Sequence, residues 1–63
     1  MLKAPKNETI WVRYVNNGVV THAITSTSLR DTYYLYEVDG DKLIKTKKKA
    51  SNPTELEKYI YGG

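Results

Sequence analysis

The 63-residue chain predicts an α+β, mainly β fold: a four-stranded antiparallel meander, strongly twisted or closed toward an SH3-like small barrel, then one short C-terminal helix. Three observations predict it. Two glycine-bearing turn signals, NNG at 16–18 and DGD at 39–41, each lie between runs rich in β-branched and aromatic residues. A polar stretch, TSLRDT at 27–32, separates the two hairpins. The chain then closes on SNPTELEKYIYGG, where apolar residues recur at helical rather than strand spacing.

Each element can be justified in order. Residues 1–8 read as a lead-in, because Pro5 disfavours helix there. TIWVRYV (9–15) is the first strand and VVTHAITS (19–26) the second. Two registers compete for this hairpin. A two-residue turn at Asn17-Gly18 pairs Val15 with Val20 and mixes apolar and polar residues on both faces. A three-residue loop with Gly18 in a left-handed bulge position pairs Val15 with Val19. It gathers Ile10, Val12, Tyr14, Val20, His22 and Ile24 on one face, and we expect it on that ground. In the polar stretch at 27–32, Leu29 is the apolar anchor. YYLYEV (33–38) is the third strand. With Asp39-Gly40 at the turn centre, Glu37 would stand opposite Lys42 as a cross-strand ion pair. The fourth strand follows at 42–48. The helix is expected over 53–61. Asn52 caps it, Pro53 takes the first helical position, Glu55 stands three after the cap, and Gly62 ends it. Leu56, Tyr59 and Ile60 form its apolar stripe. The expected core is Ile10, Val12, Tyr14, Val20, Ile24, Leu35, Ile44, Leu56, Tyr59 and Ile60.

Size and composition bound the rest. Sixty-three residues make a single small domain (1–63), burying only about 60% of the unfolded surface. With no cysteine there is no disulfide, and one histidine without cysteine excludes the usual structural zinc sets. MLKAPKNE has no apolar run of the signal-peptide kind, and no stretch approaches the length that crosses a bilayer. The expectation is an intracellular, cytoplasmic protein. His22 is read as a buried neutral histidine, and Glu37, Asp39 and Asp41 as turn chemistry rather than a calcium loop. No nucleophile is arranged with a base, and neither GxGxxG nor a Walker motif is present. The expectation is no enzyme, no metal and no cofactor.

Charge carries the functional reading. The chain is +3 overall, yet KLIKTKKK (42–49) alone holds five lysines and no acid, leaving five basic against seven acidic residues elsewhere. In a regular strand Lys45, Lys47 and Lys49 share one side, about 6.6 Å apart, while Lys48 faces the other way with Ile44 and Thr46. Such a row could track a phosphate backbone with little sequence specificity. Trp11, Arg13 and Tyr36 are candidate neighbours, since exposed rings beside a positive strand make stacking platforms. The length, hairpins, lysines and terminal helix loosely resemble the small archaeal chromatin proteins with an SH3-like barrel. That family is richer in lysine and has one more strand, and no site residue is carried over from it. The expectation is thus a nucleic-acid-binding module using Lys45, Lys47, Lys48, Lys49, Arg13, Trp11 and Tyr36. The alternative is a protein-interaction module or homodimer using the sheet face of Trp11, Val15 and Val19.

Overall fold

The computed structural model describes residues 2–61. Strands β1 (Glu8–Asn16), β2 (Val19–Thr27), β3 (Tyr33–Asp39) and β4 (Lys42–Ala50) are followed by helix α1 (Pro53–Tyr61). The sheet order is β1-β2-β3-β4, all antiparallel. Of the two forms expected, the open meander is the one present: β1 and β4 are opposite edges rather than partners in a closed barrel. The shortest axis of the molecule is 16 Å, the thickness of one sheet with one helix upon it.

The first hairpin corrects the expected loop. Asn16 pairs with Val19 and Val15 with Val20, so the turn has two residues, Asn17 and Gly18. Both have positive φ, 54° and 78°, as a turn matched to the right-handed strand twist requires. The apolar grouping is rescued further along by a bulge. The register shifts between Tyr14↔His22 and Val15↔Val20, so Thr21 is the extra residue. Val12, Tyr14, His22 and Ile24 then share a face, as expected. Ile10 and Val20 do not join them. A second shift leaves Trp11 without a partner, so that Ile10 stands opposite Thr25 while Val12 stands opposite Ile24.

The second hairpin turns one residue later than expected. Asp39 pairs with Lys42, Gly40 and Asp41 form the turn, and Gly40 supplies the positive φ of 65°. Glu37 therefore lies opposite Ile44, and not Lys42. The loop between the hairpins is not anchored by Leu29, which is 82% exposed. It is held by the Thr27 amide donating to the Thr32 carbonyl, the Arg30 amide donating to the Thr27 carbonyl, and the Thr27 hydroxyl donating to Asp31.

Helix α1 forms as its sequence dictates. The Thr54 amide donates to Asn52 Oδ1 at 2.8 Å, and Pro53 opens the first turn. The expected stop at Gly62 lies outside the described residues. Leu56 is fully buried and packs with Ile24, Tyr33 and Leu35. Val12, Tyr14, Ala50 and Ile60 are half-buried around them. Tyr59 and Ile44, both expected in the core, are exposed. Tyr59 lies instead against Lys48 of β4, and Ile44, opposite Glu37 on the edge strand, is outside the cluster that Leu56 completes.

The opposite face has its own lid. Ala23, Thr25 and Tyr36 are buried there, although the helix does not cover them. The Tyr36 hydroxyl on β3 donates to Glu8 Oε1 on β1 at 3.0 Å, so its ring must lie across β2. The Thr25 hydroxyl donates to the same oxygen at 2.6 Å. Small side chains at 23 and 25 leave room for that ring.

Candidate functional site

Of the predicted site residues, the lysines are rearranged most. Tyr36 pairs with Lys45, but the next pair is Leu35 with Lys48, so Thr46 and Lys47 bulge out of β4. The bulge has a visible cause. The Thr46 hydroxyl donates to the Leu35 carbonyl at 2.8 Å, taking a ladder position with its side chain, and in turn accepts from the Lys48 amide at 3.3 Å. Lys47 occupies the left-handed region, with φ 67°.

Two extra residues preserve the alternation of faces but shorten the spacing. Lys45 stands opposite Tyr36 and Lys49 opposite Tyr34, two positions apart on β3. A regular strand would spread Lys45 to Lys49 over about 13 Å; their β3 partners are about 6.6 Å apart. The expected row of lysines is therefore a cluster. Tyr34, Lys45, Lys47 and Lys49 line one open groove of about 320 Å³. Lys45 Nζ lies 5.9 Å from the Tyr34 ring centroid. Lys48 is on the other face, its ammonium 4.8 Å from the Tyr59 ring centroid.

Tyr36 does not serve as an open ring. It is 4% exposed, with its hydroxyl tied to Glu8. Burial, then the hydrogen bond and charge of Glu8, push its pKa up to about 12. Tyr34, which the candidate set lacked, is the half-buried ring beside the lysines. Strand alternation gives Tyr34 and Tyr36 the same face. Only the cross-sheet tie to Glu8 tells which of them is closed, and that tie spans 28 residues.

Arg13 shares the lysine face but not the lysine edge. It belongs to a row Arg13, Ala23, Tyr36, Lys45 across all four strands, about 14 Å from Lys45 by strand spacing. Trp11 is engaged elsewhere: it meets Tyr33 edge-on at 5.7 Å, and the Arg30 guanidinium lies 5.6 Å from its ring centroid. Trp11 is also set apart from the rest of the alternative surface. Val15 and Val19 are exposed at the hairpin end, about 13 Å along the strand from Trp11, so the three residues do not form one patch.

On the helix side, His22 is half-buried, with Nδ1 3.0 Å from the Thr21 hydroxyl. Tyr14 meets Tyr61 edge-on at 5.9 Å. Burial first, then the charge and hydrogen bond of Glu57, raise the Tyr14 pKa to about 12. Among the described residues no group of three or more His, Cys, Asp or Glu side chains is placed to hold a metal, and no helix is long and apolar enough to cross a membrane. Comparison with family models, curated proteins and solved structures yields no match.

Proposed function

We propose that the chain is a small non-enzymatic binding module that takes nucleic acid in the groove formed by β3 and β4. The observation that carries this reading is the gathering of Lys45, Lys47 and Lys49 around Tyr34. Three ammonium groups offer phosphate neutralisation, and one ring offers a face for a base. Lysine is a point charge without a base-reading fork, so sequence preference is weak. The protein-interaction alternative is weaker, because its three residues are not contiguous.

Titrating a labelled oligonucleotide at two salt concentrations tests the proposal. Three neutralised phosphates on a single strand correspond to a slope of log K against log salt near −2, or roughly a twentyfold loss between about 50 and 200 mM. Replacing Lys45 and Lys47 by alanine should flatten that slope. Absence of binding at about 50 mM salt would overturn the reading.

A further inference from the structure

The groove also bears on which nucleic acid enters it. We infer that the site takes single-stranded nucleic acid, seating one unpaired base on the Tyr34 ring while Lys45, Lys47 and Lys49 hold the phosphates on either side. This rests on the nucleic-acid reading above and deepens it.

Three features of the groove support the inference. First, the cations are clustered rather than strung out. The bulge at Thr46–Lys47 puts Lys45 and Lys49 opposite residues only two positions apart on β3, with Lys47 between them. A cluster of that size suits a footprint of one or two nucleotides and does not follow a long backbone. Second, the half-buried Tyr34 shares the lining of one concavity with those lysines, which a base can enter to stack only if its own face is free. In a duplex the faces of interior bases are covered by stacking, and lysines would meet only the outer phosphates. Third, the neighbouring tyrosine is withdrawn. Tyr36 lies across β2 under its bond to Glu8, leaving Tyr34 as the ring beside the cations. Ring and clustered cations thus coincide at the β4 edge.

A double-mutant cycle between protein and ligand tests this. The probes are a short oligothymidylate, the same strand with one central abasic site, a duplex of equal length, and a glutamate peptide of equal charge. The protein variants are Tyr34→Leu, which keeps bulk without a π face, and Tyr34→Phe, which keeps the ring. Trp11 fluorescence and far-ultraviolet circular dichroism verify folding for each. Tyr34→Leu should weaken oligothymidylate binding roughly 5- to 150-fold, the range for one base–aromatic stack. Tyr34→Phe should bind like the parent. The abasic strand should lose affinity to a similar degree on the parent and lose little more on Tyr34→Leu. The duplex should bind more weakly and be indifferent to Tyr34.

Salt-dependent binding that ignores both the base and the ring would overturn the inference while leaving a phosphate-binding module intact. Equal affinity for the glutamate peptide, with no effect of Tyr34, would overturn it in favour of acidic protein surfaces. Failure of every nucleic acid to bind would overturn the proposed function itself.

Discussion

At the scale of single residues, two tyrosines with the same strand parity have opposite roles because of one carboxylate. Glu8 accepts from Tyr36 and Thr25 together, closing the Tyr36 ring over β2. Ala23, paired with Tyr36 and fully buried, has no room to grow. Ala23→Leu should therefore destabilise the fold by about 1–3 kcal/mol in chemical denaturation. The raised pKa values of Tyr14 and Tyr36 have a direct consequence at high pH. Both hydroxyls hold their protons more tightly in the folded state than in the unfolded chain, where tyrosine titrates near 10. Their contribution is fully present below pH 10 and is lost as pH rises from about 10 through about 12. Absorbance titration near the tyrosinate band should show a late-ionising component that shrinks in Tyr14→Phe and in Tyr36→Phe. Denaturation midpoints should fall across that window, less so in Tyr14→Phe and Tyr36→Phe.

At the scale of elements, the helix is the part most legible in sequence. Its bounds, its Asn52 cap and the burial of Leu56 follow from local spacing and capping chemistry. Leu56→Ala should cost about 2–5 kcal/mol. A domain of this size holds roughly 3–9 kcal/mol in all, so the loss is severe and should appear as a broad, early thermal transition. The four strands were equally legible, because β-branched and aromatic runs between glycine turns leave few alternatives. Register was not. The first hairpin closes on the shorter of the two loops weighed, the second on a turn one residue later than expected, and three bulges reset the pairing. The first hairpin departs from the expected loop because a bulge at Thr21 achieves what the longer loop would achieve. The bulge in β4 was invisible for a different reason. Lysine is tolerated on either face of an edge strand, so the pattern 45–49 imposes no penalty that would reveal a shift. The decisive contact is the Thr46 hydroxyl on the Leu35 carbonyl, which is a tertiary event. Thr46→Val keeps the shape and removes that bond. We expect it to loosen the bulge, cost about 0.5–1.5 kcal/mol, and weaken oligonucleotide binding without removing any charge.

At the scale of the whole molecule, the charge is polarised. Lys42–Lys49 holds half of the basic residues, and the remainder of the chain is slightly acidic. The sheet is open, and its β4 edge is guarded by lysines and by a bulge that spoils straight pairing with another strand. The same bulge has a further consequence for the free protein. It holds Lys45 and Lys49 closer than a regular strand would, with Lys47 lining the same groove at a backbone angle that suits glycine better. Self-repulsion and backbone strain are thus stored where the ligand is expected. Added salt should raise the melting temperature of the unliganded protein, and Lys47→Gly should raise it too while lowering affinity. Selection for thermal stability alone would drift toward glycine at 47, and a library sorted for binding would drift back to lysine.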